Sequence, residues 1–202
     1  SEIGWRDFSY NLLFNYPEMT AHPIQSKFMK FPWLKNKKNF IFWKYGKTGI
    51  PIVDAGMKEL YEMGWMHNRV RMIVGSFLTK NLLIHWKKGE RWFFDTLVDA
   101  DIASNSAGWQ WISGSGADAS PYFRIFNPIL QGKKFDPKGE YVKKFIPSLS
   151  KIPEKFIHSP WEMTIDEQEK YNFKLGRDYP KPIVDLSDTR KRALVAFKKI
   201  SV

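Results

Sequence analysis

The stretch that decides the fold is residues 52–80, IVDAGMKELYEMGWMHNRVRMIVGSFLTK. Its apolar side chains recur with the period of an α-helix from about residue 52 to residue 63, and Gly64 then supplies a C-terminal stop. The same period returns from about residue 66 to residue 80, which predicts a second amphipathic helix. Alternating strand patterns are nearly absent, apart from residues 40–43. The sequence therefore predicts an all-α fold.

Weaker helical signals lie nearer the C-terminus. They predict three further helices, at about residues 89–98, 138–146 and 187–199. Ser187 or Asp188 is the predicted N-cap of the last one, because both residue types favour that position. All of these elements are expected to form a single helical domain over residues 1–202.

The composition excludes several classes of protein. The 32 Lys and Arg outnumber the 21 Asp and Glu, and the net charge of +11 favours nucleic acid as a partner. The chain has no Cys, so disulfide frameworks, thiolate catalysis and Cys-based metal sites are excluded. No run approaches the roughly 18 apolar residues of a membrane span, and the N-terminus has no secretory signal pattern. We therefore expect no membrane partner and a cytoplasmic location, or a nuclear one in a eukaryote.

Tryptophan is the most unusual component of the chain. Nine residues are Trp, and all but one of these fall within the first 111 positions. An aromatic core explains any single one, whereas stacking on bases or on an aromatic cofactor competes as the explanation for the group. Residues 103–116, ASNSAGWQWISGSG, place two Trp among Gly, Ser and Asn, which fits either a ligand-lining loop or a short helix.

One face of the predicted helix 66–80 carries an unusual set of groups. At about 100° per residue it combines an amide, a guanidinium, a thioether, a bare backbone position and a hydroxyl, from Asn68, Arg71, Met72, Gly75 and Thr79. A Met side chain gains little from exposure to water, and a Gly within a helix costs roughly 1 kcal/mol of helix stability. Their presence on this face therefore favours a binding site. A plain polar face with an incidental Met is the other interpretation.

The neighbouring carboxylates Asp99 and Asp101 allow three interpretations. Such pairs serve general acid–base catalysis, hold a metal ion, or neutralise a cation. A buried carboxylate is best neutralised by a guanidinium, so pairing of Asp99 or Asp101 with Arg71 is the simplest interpretation. The four His lack metal-ligand spacing, so a metal-dependent nuclease is the least favoured function.

Several long blocks of the chain resemble the photolyase/cryptochrome family. They are residues 47–55 (KTGIPIVDA), 64–72 (GWMHNRVRM), 99–105 (DADIASN), 109–111 (WQW) and 122–128 (YFRIFNP). The blocks stand in order over nearly the whole chain, and they are most similar to class I cyclobutane-pyrimidine-dimer DNA photolyases. The resemblance implies that residues 1–202 are the C-terminal, helical FAD-binding domain of a longer protein. It also implies a second, antenna chromophore in an N-terminal α/β domain outside this chain.

The resemblance assigns residues to the flavin. Arg71 and Asp99 correspond to an ion pair beside the isoalloxazine ring, and Asp101 to a partner of the ring or the ribitol. Asn105 corresponds to the residue that faces flavin N5. Asn68 is implied to lie between the adenine and the DNA lesion.

The resemblance also implies a pocket for the lesion. Its lining positions correspond to Glu2, Trp5, Asn68, Met72 and Trp111. Trp5 and Trp111 are implied to enclose the two flipped pyrimidines, and Glu2, in its protonated form, to donate a hydrogen bond to their carbonyl edge. Glu2 and Trp5 stand three residues apart, so a helix places both on one face, which by itself is an ordinary surface pair.

A chain of indoles and a set of phosphate contacts complete the implied site. Trp109, Trp86 and Trp33 correspond to the relay that passes an electron from the surface to the flavin, and His85 stands where an acid often precedes the Trp. The candidates for contacts to the phosphates that flank the lesion are Arg69, Arg124, Gln131 and Lys134.

The activity implied by the resemblance is light-driven repair of cyclobutane pyrimidine dimers by electron transfer from excited reduced FAD. This is the reaction of a deoxyribodipyrimidine photo-lyase, a carbon–carbon lyase, with UV-damaged DNA as its partner and a monomer expected. The alternative is a cryptochrome-like blue-light photoreceptor that keeps the flavin and the relay and performs no repair. The complete lesion pocket favours repair, because a receptor does not need one.

Overall fold

The computed structural model describes residues 2–118 and 123–201, which are predominantly helical. These ranges contain the helices α1 Glu2–Asn15, α2 Lys37–Lys44, α3 Pro51–Met63, α4 Asn68–Ser76, α5 Trp86–Thr96, α6 Ile102–Ser113, α7 Pro128–Phe135, α8 Glu140–Phe145, α9 Ile165–Lys170 and α10 Leu186–Lys198. A π-helical turn, Phe77–Asn81, follows α4 directly. The same ranges contain no strand, only one isolated bridge between Leu175 and Tyr179, so the predicted all-α fold is confirmed. None of these helices has the length and apolar character that crossing a membrane requires.

The chain divides into two compact units. Unit A comprises residues 1–36, 75–125 and 186–202, and unit B comprises residues 37–74 and 126–185. The predicted single domain over the whole chain stays a prediction. Short 3-10 turns add to the helices of both units, at Pro17–Thr20, Ser26–Lys30, Pro147–Lys151, Glu154–Phe156 and Pro160–Glu162.

Unit A is organised around α6. Both α1 and α5 pack against α6, and α10 packs against the π-helical turn. Asn81 ties that turn to α10, because its Nδ2 donates to Thr189 Oγ1 (2.9 Å) and its carbonyl oxygen accepts from Arg192 Nη2 (2.6 Å). A buried cluster of aromatic and aliphatic side chains consists of Phe28, Phe31, Leu83, Phe123, Ala193, Ala196 and Ile200.

Unit B is organised around α3, against which α2, α7 and α8 pack. Gly56 in α3 permits a close helix contact, since a Cβ there would lie 2.4 Å from Val70 Cγ1 of α4. Gly64 adopts the left-handed conformation (φ 65°) that ends α3, as its position in the sequence predicts. Helix α3 is thus fixed both by its end and by its neighbours.

A buried carboxylate fixes the start of α3. Asp54 accepts four hydrogen bonds, from Thr48 N (2.7 Å), Thr48 Oγ1 (2.6 Å), Gly49 N (2.9 Å) and Tyr179 OH (2.6 Å). Gly49 has φ 76°, and a Cβ on it would lie 2.3 Å from the carbonyl oxygen of Lys181. Asp54 therefore ties the turn just before α3 and the distant Tyr179 to the first turn of this helix.

Some predicted element boundaries are wrong at their ends. Helix α10 begins at Leu186, so Ser187 and Asp188 lie in its first turn and neither is its N-cap. Asp188 still favours this helix, because a negative charge in the first turn interacts well with the helix dipole. Residues 103–116 form most of α6 and the turn after it, so the short helix was the correct one of the two interpretations.

Tertiary packing outweighs local pattern in two places. Residues 40–43, the one stretch with an alternating pattern, lie in helix α2, where Trp43 is buried and its Nε1 donates to Val74 O (3.0 Å). The π-helical turn changes the helical register after Ser76. Thr79 is buried there with its hydroxyl donating to Gly75 O (2.8 Å), so the predicted face does not continue to Thr79.

Candidate functional site

Helix α6 carries Asn105, Trp109 and Trp111, three of the predicted site residues of unit A. Its N-cap is Asp101, whose Oδ2 accepts from Ser104 N (2.8 Å), and Gly114 ends it in the left-handed conformation (φ 88°). Asn105 and Trp109 stand one turn apart and therefore share a face of the helix. The residues that cap α6 stand next to its two ends in the sequence, so the local sequence determines where this helix begins and ends.

The Asn105 amide is held by the neighbouring helix α5. Its Nδ2 donates to the carbonyl oxygen of Glu90 (2.9 Å), which turns its Oδ1 away from that carbonyl. The Glu90 carboxylate is buried, accepts from Ser106 Oγ (3.2 Å) and pairs with Lys87 Nζ (2.7 Å). The amide is thereby pre-oriented before any ligand binds, whereas its predicted contact with flavin N5 stays a prediction.

Both oxygens of Asp101 are engaged within unit A. Oδ2 caps α6, and Oδ1 accepts from Tyr10 OH of α1 (2.8 Å). Partial burial tends to raise the pKa of Asp101, but hydrogen bonds from Ser104 and Tyr10 outweigh it and the pKa lies below its usual range. Asp101 is therefore an ionised link between α1 and α6, and its predicted contact with the ring or ribitol stays a prediction.

The indole of Trp109 occupies a slot between two glycines. A Cβ on Gly89 would lie 2.2 Å from Trp109 Cη2, and one on Gly75 would lie 3.6 Å from Cζ3. Phe93 meets the indole edge-on, with ring centroids 4.9 Å apart, and Trp109 is only 4% exposed. The absence of a side chain at Gly89 therefore lets α6 set this indole directly against α5.

The two other predicted relay residues also lie in unit A. Trp86 begins α5 and is 1% exposed, while Trp33 is half-buried. Trp86 and Gly89 are three residues apart on α5, so the side of α5 that receives Trp109 also carries Trp86. The three indoles thus range from the interior of unit A to its surface, as a relay from solvent requires.

Gly89→Ala is expected to destabilise unit A by about 1–3 kcal/mol, because the added methyl group overlaps the Trp109 indole. Gly108→Ala in α6 is the matched control, since nothing lies within 4 Å of its Cβ position. Alanine there is expected to be neutral or to add up to about 1 kcal/mol through helix propensity. Urea unfolding measures the stability of both variants. Equal stabilities would mean that the Trp109 indole does not lie directly against Gly89.

The aromatic residues of the predicted lesion pocket lie on two helices that pack together, α1 and α6. Trp5 on α1 is 54% exposed, and the edge of Phe8 supports it at a centroid distance of 6.0 Å. Trp111 on α6 is half-buried. Glu2 begins α1, but its side chain lies outside the described residues. The enclosure of a lesion by these side chains stays a prediction.

Helix α4 carries several predicted site residues, all in the part of the helix that belongs to unit B. Asn68 begins α4 and is exposed, and Met72 follows one turn later, half-buried. The Nε of Arg71 donates to the carbonyl oxygen of Met66 (2.6 Å), which fixes the guanidinium against the end of the preceding loop. Asp99 belongs to unit A, so its pairing with Arg71 stays a prediction.

Two of the predicted phosphate-binding cations share one aromatic ring in unit B. The Arg69 guanidinium lies 4.5 Å from the Phe135 centroid and Lys134 Nζ lies 5.3 Å from it. Gln131 has a buried Oε1 without a hydrogen-bond partner, so only its amide nitrogen suits a phosphate. Arg124 is exposed in unit A. The structure therefore brings Arg69 and Lys134 together, while all four contacts stay predictions.

Sequence reasoning missed several supporting residues, of which Lys80 is the clearest. Lys80 lies in the π-helical turn, its Nζ donates to the carbonyl oxygen of Arg124, and it lies 4.6 Å from the Phe123 ring centroid. Burial, together with the nearby Arg124 charge, lowers the pKa of Lys80 to about 7. A lysine inside an apolar helical pattern was the available signal. Tyr10, Gly89 and Glu90 gave no such signal, because their roles depend on which helices pack together.

The chemistry of these side chains suits FAD. The edge of an isoalloxazine ring alternates carbonyl acceptors with N–H donors, and an amide, a guanidinium and a carboxylate supply partners for both. Asn105 provides the amide, Arg71 the guanidinium and Asp99 the carboxylate. Within residues 2–118 and 123–201, no cluster of three or more His, Asp and Glu is arranged to hold a metal ion.

Comparison with known proteins gives consistent matches over the whole chain. The chain is 57% identical over 199 residues to a deoxyribodipyrimidine photo-lyase of Agrobacterium fabrum, covering 98% of this chain and 42% of that protein. It is 44% identical to cryptochrome-2 of Arabidopsis thaliana, covering 98% of this chain and 32% of that protein. The chain thus spans about two fifths or less of these relatives.

A solved structure and a family model agree with these relatives. The crystal structure of a bacterial class III photolyase from Agrobacterium tumefaciens superimposes with a TM-score of 0.96 at 56% identity, covering 99% of this chain and 42% of that one. The model of the FAD binding domain of DNA photolyase matches residues 1–199. The chain therefore belongs to the photolyase/cryptochrome family, as an FAD-binding domain.

Proposed function

We propose that the protein to which this chain belongs repairs cyclobutane pyrimidine dimers in DNA with light. The observation that carries the proposal lies on the packed helices α1 and α6, which bear the exposed Trp5 and the half-buried Trp111 of the predicted lesion pocket. Helix α6 also bears the Asn105 amide, which the Glu90 carbonyl holds. The photo-lyase relatives support the same reaction, which would make the protein a carbon–carbon lyase.

Bound FAD supplies the light-absorbing ring and the single electron that opens the dimer. The residues of the chain hold and orient the reactants and need no nucleophile. Asn105, Arg71 and Asp99 are the groups that would hold the flavin. Trp5 and Trp111 would stack on the two pyrimidines, a contact typically worth about 1–3 kcal/mol per base.

Two further side chains would act on the dimer itself. A protonated Glu2 would donate to the carbonyl edge, where negative charge develops as the dimer opens. Met72 would contact the dimer with its thioether, and the exposed Asn68 on the same helix would lie between the lesion and the adenine. Exclusion of water by these apolar contacts would strengthen the hydrogen bond from Glu2.

Affinity for UV-damaged DNA would come mainly from cations. Arg69 and Lys134 flank one ring in unit B, and Arg124 is exposed in unit A. Contacts of these cations with phosphates release counterions, so binding would weaken as salt rises. A dimer is easier to extrude than an intact base pair because its stacking and pairing are already weakened, which would give selectivity for the lesion.

Photoreactivation tests the proposal. The flavin-loaded protein is mixed with UV-irradiated oligothymidine and a reductant, and blue light is expected to restore the thymine absorbance, while a dark control stays unchanged. Trp5→Ala is expected to retain the flavin absorbance band and to bind the irradiated strand about tenfold or more weakly, because one stacking contact is lost. Persistence of the dimers under blue light, with flavin bound, would contradict repair.

A cryptochrome-like blue-light photoreceptor is the second candidate, favoured by the 44% identity to cryptochrome-2 of Arabidopsis thaliana. Asn105 and the indole relay would serve a receptor equally well. Light-driven flavin reduction with no loss of dimers is the result that would identify it. Membership of class I stays a prediction, since one similar solved structure is of a class III photolyase. The antenna chromophore, the monomeric state and the cytoplasmic or nuclear location also stay predictions.

A further inference from the structure

The imidazole of His85 contacts two indoles of the predicted relay. Its ring centroid is 5.5 Å from that of Trp86, with the planes 29° apart, and 5.1 Å from that of Trp33, with the planes 53° apart. Both distances fall within the range of direct aromatic contact. One imidazole therefore touches both indoles, and all three rings lie in unit A.

A hydrogen bond at the start of α5 fixes the orientation of this imidazole. His85 is the N-cap of α5, and its Nδ1 accepts from Lys87 N (3.1 Å). A ring nitrogen that accepts a hydrogen bond carries no proton, so the proton of the neutral ring is on Nε2. Burial lowers the pKa of His85, and the charges of Lys88 and Lys87 lower it further, which keeps the ring neutral.

We propose that His85 is a positioning residue of the electron relay, whose neutral ring bridges Trp86 and Trp33. The inference rests on the proposed function of these indoles. In the bridged step Trp33 loses one electron and oxidised Trp86 regains one, while no bond forms or breaks. The oxidant that first withdraws the electron is the photo-excited flavin, and an added thiol returns an electron to Trp33.

Two properties of the ring suit it to this role. Electron transfer falls steeply with the width of the gap between donor and acceptor, and a packed aromatic ring fills that gap with polarisable atoms. The ring is also uncharged, so it does not oppose the positive charge that moves from Trp86 to Trp33. A side chain without a ring would remove both of these aromatic contacts, even if the helix cap were retained.

Two variants separate the ring from the cap. His85→Phe keeps an aromatic ring and loses the acceptor for Lys87 N, whereas His85→Asn keeps an N-cap acceptor and loses the ring. Transient absorption of the flavin-loaded protein after a flash measures the rate at which Trp33 becomes oxidised. We expect His85→Asn to slow this step by about tenfold or more and His85→Phe to stay within about threefold of wild type.

The two variants also differ in stability, which gives an independent check. His85→Phe is expected to have the lower melting temperature because it loses the cap, although it keeps the rate. A wild-type rate in His85→Asn, or an equal loss of rate in both variants, would overturn the proposal. Repair of irradiated oligothymidine by chemically reduced protein does not use the relay, so its failure would contradict the proposed function and not the role of His85.

Discussion

In the flavin-loaded protein, Trp109→Phe is expected to slow light-driven flavin reduction by about a hundredfold or more, because a phenyl ring is far harder to oxidise than an indole. Trp109 follows Asn105 by one turn on α6, and the slot between Gly75 and Gly89 holds its indole in one orientation. Repair by chemically reduced protein is expected to persist, because that reaction draws no electron through the relay. The variant thus separates photoreduction from repair.

Two assays measure the two parts of this result. Loss of the oxidised flavin band under blue light reports photoreduction, and irradiated oligothymidine reports repair. Trp161→Phe is the matched control, since Trp161 lies on a 3-10 turn of unit B outside the predicted relay. The smaller ring at position 109 leaves a void expected to cost about 1–3 kcal/mol, so unfolding curves accompany both variants. Photoreduction of Trp109→Phe at the wild-type rate would show that the relay is misassigned.

The sequence predicts the elements whose signals are local. Helix α3 runs from Pro51 to Met63, close to the predicted 52–63, because its apolar period and the stop at Gly64 are both contained in the stretch itself. The residue types of the site are local signals too. Asn105, Trp109 and Trp111 fall on one short helix whichever way it packs. What they contact could not be predicted in the same way.

The supporting contacts depend on pairs far apart in the chain. Tyr10 and Asp101 are separated by 91 residues and Asn81 and Thr189 by 108, so no window of sequence contains either hydrogen bond. In the sequence, Gly89 indicates only a less stable helix. Its role becomes clear once the structure shows that α6 places the Trp109 indole against it. Packing thus decides which residues support the site, whereas composition and period suggest only which residues form it.

Removing the Asp54 carboxylate is expected to have the largest effect on stability. Asp54→Ala leaves Thr48 N, Gly49 N and Tyr179 OH without their acceptor in a buried region. Each buried donor without a partner costs about 1–3 kcal/mol, so we expect the free energy of unfolding to fall by about 4 kcal/mol. Ser150→Ala, at an exposed position of a 3-10 turn in unit B, is the control and is expected to change it by less than about 0.5 kcal/mol.

The same carboxylate makes the stability of unit B depend on pH. Burial raises the pKa of Asp54 from its ordinary value of 3.8 to about 6, although hydrogen bonds from Thr48, Tyr179 and Gly49 act in the opposite direction. The folded state therefore binds this proton more tightly than the unfolded state does. The resulting stabilisation is fully present below the unfolded pKa and is lost as the pH rises through the folded one.

Asp54→Asn tests this dependence, because an amide cannot ionise in the same range. Its stability is expected to be lower throughout, since its NH₂ group meets donors from Thr48, Gly49 or Tyr179 where a carboxylate oxygen would accept. The informative quantity is the difference between the two proteins. Between about pH 4 and about pH 7, wild type is expected to lose about 2 kcal/mol more than Asp54→Asn in urea unfolding. Parallel pH profiles would mean that Asp54 stays ionised in the folded state, with its four hydrogen bonds outweighing its burial.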